Sequence, residues 1–360
     1  MKQQYRVIGV MSGTSLDGLD IASCIFTPEN DGWQYTIEQA QTVSYTPAWK
    51  KRLANVESLN ALDLAITHAD YGHLIGSAVN RFIRRHHLRP DFIASHGHTI
   101  FHQPSRKMTL QIGDGAAIAA ETGLPVVCDF RTNDVALGGQ GAPLVPAGDR
   151  QLFHQYAFCL NLGGFANVSY ESRNKRIAFD ICPVNIVLNR LAGMAGKDYD
   201  KDGLLASRGQ LNPGLLEELN SLPYYSLRPP KSLGKEWVLS TFNPVIDRSG
   251  IPLEDKLHTV CHHMAGQIAK ACSGQRKGSI LVTGGGAYNR FLIDLLRKQT
   301  CHEPVLPDDR TISFKEALIF AFLGVLRVTG QSNTLRSVTG ASRDAIGGAI
   351  YAGKQGTHEL

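Results

Sequence analysis

The sequence predicts a mixed α/β protein of two lobes facing a cleft, and three observations predict it. The chain has 360 residues, more than one hydrophobic core usually serves, so two domains are expected. Segments with the two-residue period of strands alternate along it with segments of helical period. After a Gly- and Pro-rich stretch at 131–148, the opening order of glycine hairpin, further strand and helix starts again. The two halves share negligible direct identity, so duplication is suggested by pattern alone.

Residues 7–26, VIGVMSGTSLDGLDIASCIF, are two β-branched runs around a turn rich in hydroxyls and glycine, hence strand, turn and strand. WQYTIEQAQTVSY (33–45) alternates as a third strand. From about 60 to 86, Leu62, Ala65, Ile66, Ala69, Leu74, Ile75 and Val79 recur at helical spacing. DFIASHGHTIFHQ (91–103) reads as strand and loop, and MTLQIGDGAAIAAETG (108–123) as a strand turning into a helix. PVVCDF begins a buried strand that runs into the long loop at 131–148, which marks the domain boundary. Beyond it, AFCLNLGGFANVSYE gives strand, Gly turn and strand, and RIAFDICPVNIVLNRLAG a strand entering a helix. HTVCHHMAGQIAKAC reads as a helix, SILVTGGGAYNRFLIDLLRK as strand, Gly turn and helix, and SFKEALIFAFLGVLRV as a buried helix. Lobe I is expected at 1–137 and lobe II at 138–339, with 340–360 returning to lobe I.

Composition excludes several classes. Hydrophobic content of 43% and charged content of 19% are those of an ordinary globular protein. The net charge of +5 is small and the 37 Lys and Arg are scattered. Their one cluster, RFIRRHHLR (81–89), reads as a solvated helix end, so no nucleic-acid partner is expected. No apolar run approaches the roughly 20 residues of a membrane span, and no leader cleavage site follows Ser12. Seven cysteines without a CxxC pair argue for free thiols in a reducing compartment, so the expected location is cytoplasmic.

Neither a Walker-A loop nor a GxGxxG after the first strand is present. What remains is the hairpin tip. Backbone N–H groups and hydroxyls of Gly13, Thr14 and Ser15 make a concavity of the kind that binds anions. Asp17 and Asp20 suit a phosphate only through a divalent cation; the rival reading is a polar tip that holds nothing. LNLGGFANVS (160–169) is a second Gly turn between strands. Asp180 ends an apolar strand just before a turn and helix, a place for a general base or a metal ligand. LVTGGGAYN (281–289) leaves room for a nucleobase or ribose against bare backbone. His96, His98 and His102 lack an acidic or Cys residue at ligand spacing, which favours a sugar-binding loop over zinc.

In that order these features resemble the actin, hexokinase and Hsp70 class, a two-lobed actin-like (ribonuclease H-like) ATPase fold with a central ligand cleft. VMSGTSLDGLD, the block from Thr109 to Pro146, NLGGFANVS, YDKDGLLASRG, PPKSLGKEW and GGGAYN look like the anhydro-N-acetylmuramic acid kinase family, from residue 7 to about 325. The resemblance implies an enzyme that uses ATP and Mg²⁺ to open the 1,6-anhydro bridge of anhydro-N-acetylmuramic acid. The product is N-acetylmuramic acid 6-phosphate, in bacterial cell-wall recycling. It implies Asp180 as the base that activates water at C1. Gly13, Thr14, Ser15, Asp17, Gly18, Asp20, Gly163, Gly164 and Asn167 fall at the ATP phosphates, with Mg²⁺ at Asp17 and Asp180. Gly284, Gly285, Gly286 and Asn289 fall near the adenosine, and His96, His98, Asp129, Arg131 and Glu316 near the sugar. The Arg131 guanidinium suits the lactyl carboxylate; a structural bridge to Asp134 is the rival, as a helix N-terminal charge is for Glu316. The partners implied are ATP and a small sugar, and a homodimer is common among such kinases.

The chain also departs from the family. Asp-Thr-Gly-Pro-Gly-Asn is usual where this chain has Asp180, Ile181, Cys182, Pro183, Val184 and Asn185. The side chains of Cys182 and Val184 are expected to disfavour positive φ and to narrow the phosphate site. His98 stands where Gln is usual, and PAGDRQLF lacks a customary His. These departures keep two alternatives open: a kinase for a different amino sugar or anhydrosugar, and a non-catalytic sugar or nucleotide sensor.

Overall fold

The computed structural model describes residues 2–13, 16–30, 32–274 and 277–354. The opening hairpin forms as its β-branched runs require. Strand β1 (Tyr5–Ser12) pairs antiparallel with β2 (Gly18–Glu29), and β2 with β3 (Gly32–Ser44). Helices α1 (Pro47–Ala54) and α2 (Ala61–His86) follow. The Asn60 side chain caps α2 by accepting the Asp63 N–H at 2.9 Å, and His87 ends it in the left-handed region at φ 52°. Strand β4 (Phe92–Ser95) then runs parallel to β1. Strands β5 (His98–Gln103) and β6 (Met108–Ile112) form a separate ribbon. Helix α3 (Gly115–Thr122) leads to β7 (Val126–Cys128), parallel to β4.

Two short helices, α4 (Thr132–Ala136) and α5 (Val145–Leu152), occupy much of the stretch expected to be loop at 131–148. That expectation is corrected: the glycines and prolines punctuate short helices here. The α2 face is corrected as well. Leu62 and Ile66 are exposed, while Thr67, Tyr71, Ile75, Ala78, Val79 and Phe82 form the buried stripe. The stripe is set where Tyr71 and Phe82 can pack, and in the first turn it is Leu64, not Leu62, that packs against the core.

The pattern then repeats. Strands β8 (Phe158–Leu162), β9 (Phe165–Ser172) and β10 (Lys175–Pro183) form an antiparallel meander. Helices α6 (Asn185–Met194), α7 (Pro213–Asn220), α8 (Lys235–Trp237), α9 (Asn243–Arg248) and α10 (Leu253–Ala271) come next. Strand β11 (Ser279–Thr283) lies parallel to β8, and helix α11 (Arg290–Gln299) leads to β12 (Glu303–Val305), parallel to β11. Helices α12 (Asp309–Val328) and α13 (Arg336–Thr339) precede β13 (Ala349–Tyr351), which adds antiparallel to β7.

The chain divides into two compact units, Met1–Leu152 with Phe314–Leu360, and Phe153–Ser313. The first unit has strand order β13-β7-β4-β1-β2-β3 and the second β10-β9-β8-β11-β12. Leaving β13 aside, both are a three-stranded antiparallel meander whose first strand carries two parallel strands on its other side. This is the ribonuclease H-like arrangement, present twice. In the first unit Ile8 and Val10 face the α2 side of the sheet, so Gly9 faces the other. A Cβ on Gly9 would lie 2.0 Å from the Ala317 carbonyl oxygen of α12. That close approach admits only glycine, and it seats the buried α12 on the sheet. Helix α12 is broken at Phe314 (φ −118°, ψ 18°), where the division falls. No helix among the described residues is long and apolar enough to cross a membrane.

Candidate active site

In the first unit, the hairpin between β1 and β2 carries the expected phosphate residues. Thr14 and Ser15 lie outside the described residues. Asp17 is exposed and Gly18 is buried against β3, where a Cβ would meet the Val43 carbonyl oxygen at 2.4 Å. Gly18 is thus demanded by packing. Asp20 sits opposite Met11 on β1 and accepts the Thr42 hydroxyl at 2.6 Å; burial raises its pKa, with Asp17 adding to the rise.

Four residues converge around Arg131. Its Nε donates to His96 Nε2 at 2.9 Å, and its Nη1 donates to the Gly141 carbonyl at 2.6 Å. His96 Nδ1 bonds the Gly97 carbonyl at 2.9 Å. A carbonyl only accepts and a guanidinium only donates, so His96 is the neutral Nδ1–H tautomer. Burial, and then Arg131, hold its pKa well below the usual histidine value. Asp134 is not the ion-pair partner of Arg131. Its carboxylate is spent on the Gly141 N–H at 2.7 Å and the Thr339 hydroxyl at 2.8 Å. The guanidinium pKa falls to about 10 through burial, so it stays charged, with Glu316 the larger of the two stabilising charges and Asp134 the lesser.

Glu316 is solvent-accessible, yet the protein packed around it raises its carboxyl, against the opposing pull of Arg131. Beside it, Lys315 makes a buried ion pair with Asp149 at 2.8 Å. Asp129 is exposed at φ 56° and accepts the Thr132 hydroxyl at 2.5 Å. The structure also brings in residues that the sequence had not singled out. Ser12 Oγ bonds both the Tyr45 hydroxyl and His98 Nδ1, and Tyr45 bonds Tyr71. Nothing in local sequence marks these contacts.

In the second unit, Asn161, Asn167 and Asp180 are directly opposite one another across β8, β9 and β10, so they share one face. Ile181 is an extra residue in β10, a bulge between Asp180 and Cys182. Asp180 is gripped on three sides. Its N–H donates to the Lys231 carbonyl at 3.2 Å, and its carbonyl accepts the Tyr224 hydroxyl at 2.6 Å. Its Oδ2 accepts the Leu233 N–H at 2.9 Å, while Oδ1 has no hydrogen-bond partner among the described residues. Burial raises its pKa, partly opposed by the Leu233 bond. Lys231 and Leu233 belong to the PPKSLGKEW segment, whose role the sequence did not reveal.

The altered loop behaves differently from expectation. Cys182 and Val184 are wholly buried within the hydrophobic core, and Val184 has φ −130°. Neither side chain narrows an open site, and no positive φ is required at Val184. The N–H groups of Val184, Asn185 and Ile186 donate to the carbonyls of Gly163 and Gly164 at 2.8–3.3 Å. The loop is therefore closed onto the β8–β9 turn. Gly164 lies open, with nothing within 4 Å of an added Cβ. In the triple-glycine turn, Gly284 (φ 81°) and Gly286 are pressed against Asn161 and Leu162, and only Gly285 is exposed. Asn289 caps α11 by accepting the Leu292 N–H at 3.0 Å. The YDKDGLLASRG segment helps line a cavity of about 340 Å³ that includes Lys197, Tyr199, Lys201 and Arg208.

Comparison with known proteins agrees in one direction. The family model described as anhydro-N-acetylmuramic acid kinase matches residues 5–353. An anhydro-N-acetylmuramic acid kinase of Vibrio cholerae serotype O1 is 36% identical over 380 aligned residues, 98% of this chain and 99% of its own. One of Shewanella sp. strain MR-7 is 37% identical, over 96% of this chain and 98% of its own.

Proposed function

This chain belongs to the anhydro-N-acetylmuramic acid kinase family, and from that we propose that it uses ATP to open and phosphorylate 1,6-anhydro-N-acetylmuramic acid. The product is N-acetylmuramic acid 6-phosphate. The observation that carries the reading is Asp180, a half-buried residue held at three points with one carboxylate oxygen free.

Asp180 Oδ1 accepts a proton from water as the water oxygen bonds to C1. The bond from C1 to the bridging O6 breaks, and O6 then takes the terminal phosphoryl group of ATP. Because burial raises its pKa, Asp180 is a stronger base than an ordinary carboxylate, and general-base catalysis of this kind contributes about 10²–10⁴-fold. The Leu233 bond fixes the carboxylate plane, so one oxygen is committed to position and the other to chemistry. Arg131, charged and anchored through Nε and Nη1, keeps Nη2 for the lactyl carboxylate. Gly13, Gly163, Gly164 and Asn167 take the ATP phosphates, and Gly285 the adenosine.

Exposed Asp17 has the hard oxygen donors that Mg²⁺ takes alongside phosphate oxygens and water. When bound, Mg²⁺ supplies charge neutralisation at the phosphates. All seven cysteines are free thiols, which suits a reducing compartment, the cytoplasm. Cys182 and Val184 turn into the core, so nothing seen in that loop favours a non-catalytic sensor.

The test is ADP release from ATP with and without 1,6-anhydro-N-acetylmuramic acid. Release that depends on the sugar is expected. Release indifferent to the sugar, or none at high enzyme concentration, contradicts the reading.

A further inference from the structure

Four groups of the first unit form one hydrogen-bonded row. The Tyr71 hydroxyl meets the Tyr45 hydroxyl at 2.5 Å, Tyr45 meets Ser12 Oγ at 2.7 Å, and Ser12 Oγ meets His98 Nδ1 at 2.9 Å. None of the four residues is more than 6% exposed. Three bonds join them, and the three hydroxyls own three protons. A proton on His98 Nδ1 would be a fourth donor for three bonds, leaving one buried O–H unpaired. With Nδ1 bare, every bond has its proton: Tyr71 donates to Tyr45, Tyr45 to Ser12 and Ser12 to Nδ1. No other assignment fills all three bonds without leaving a hydroxyl proton over.

The ring's own proton then sits on Nε2, the opposite tautomer to that of His96 two residues earlier. Burial lowers the His98 pKa, so the ring stays neutral. Nε2 has no hydrogen-bond partner among the described residues. The result is a fixed, neutral N–H donor without a protein acceptor among the described residues.

We propose that His98 reads the substrate through Nε2–H, donating to a neutral acceptor oxygen of the sugar, an amide carbonyl or an ether. Ser12, Tyr45 and Tyr71 are the positioning residues that set its tautomer. The inference rests on the sugar-kinase reading and divides its labour. The charged Arg131 suits a carboxylate, whereas a neutral imidazole N–H suits an oxygen without charge. A glutamine at position 98 would offer the same kind of donor from its amide.

The first arm of the test is spectroscopic. Protein labelled with ¹⁵N-histidine is studied by long-range ¹H–¹⁵N correlation, with His98 assigned by its absence in His98→Gln. The wild type is expected to show a protonated Nε2 and a bare Nδ1. Tyr71→Phe removes one proton and one bond together, so the tautomer should persist. Ser12→Ala removes the donor to Nδ1, so the Nδ1 resonance should move from the hydrogen-bonded to the unbonded imine position. A role in packing alone predicts no such contrast.

The second arm is calorimetric titration of 1,6-anhydro-N-acetylmuramic acid without ATP. His98→Met should bind about tenfold more weakly, the scale of one lost hydrogen bond, and His98→Gln within about twofold of wild type. An Nδ1–H wild type, or His98→Met with unchanged affinity, overturns the proposal. Binding without phosphoryl transfer would sink the kinase reading and still leave this comparison decisive; absence of binding overturns both.

Discussion

Restoring the family glycine at position 184 should damage this protein. Val184 is wholly buried, and its Cγ1 lies against Gly286 beneath the triple-glycine turn. Val184→Gly removes three buried carbons, at about 0.8 kcal/mol each, or about 2.4 kcal/mol. Glycine gains nothing from its conformational freedom at φ −130° and adds about 0.5–1 kcal/mol of unfolded-state entropy. The sum is about 3 kcal/mol before any cavity cost. Urea denaturation followed by tryptophan fluorescence measures it, since Trp237 packs against the same core. Sugar-dependent ADP release, assayed well below the melting temperature, should not rise. A variant as stable as wild type with a clearly faster turnover would refute the reasoning, because it would mean that the valine obstructs the phosphate site.

Other outcomes follow from the same geometry. Arg131→Met should weaken binding of the muramic sugar about 30-fold, the scale of one charged hydrogen-bonded contact at about 2 kcal/mol, and spare an analogue lacking the lactyl group; equal loss for both in calorimetry would make Arg131 structural. The acid limb of kcat/KM for the sugar should lie above the ordinary aspartate value, because Asp180 works ionised and burial raises its pKa; a pH profile with the limb at an ordinary aspartate value contradicts this. The raised pKa means that the folded state binds this proton more tightly than the unfolded one. Stability from this group therefore falls as pH rises from the unfolded value to the folded one and stays lowered above it. Asp180→Asn should accordingly melt above wild type at neutral pH, with the gain shrinking in acid; a lower melting point at neutral pH would count against it. Gly9→Ala sets a Cβ 2.0 Å from a backbone oxygen of α12 and should cost about 3 kcal/mol, read by urea denaturation; an unchanged midpoint would deny that contact.

Much of the fold was legible because it lies in local pattern. The β-branched runs about Gly13 and about Gly163–Gly164 each specify a hairpin, and their recurrence in order exposes the repeated topology without shared identity. The α2 face was misjudged at its first turn, since periodicity counts Leu62 and Ile66 as apolar without knowing whether anything covers them. The short α4 and α5 were hidden by the glycines and prolines around them. The candidate site was half legible. Asp180 could be found from its place at a strand end, but its grip by Leu233 spans 53 residues. The Arg131–His96 contact spans 35 and Ser12–His98 spans 86, and no local period encodes such pairs. The loop at 181–184 misled because a lost glycine signals a possible obstruction, whereas side-chain direction belongs to the tertiary structure. At Cys182 and Val184 that direction is inward.

The most direct measurement is ³¹P NMR of the protein with ATP and Mg²⁺ and 1,6-anhydro-N-acetylmuramic acid, beside Asp180→Asn. Asparagine keeps an oxygen for the Leu233 N–H and removes the base. A new sugar phosphomonoester signal in the wild type, lost or slowed at least about 100-fold in the variant, is the predicted result. A silent wild type, or a variant that forms the phosphomonoester as fast, would contradict the account.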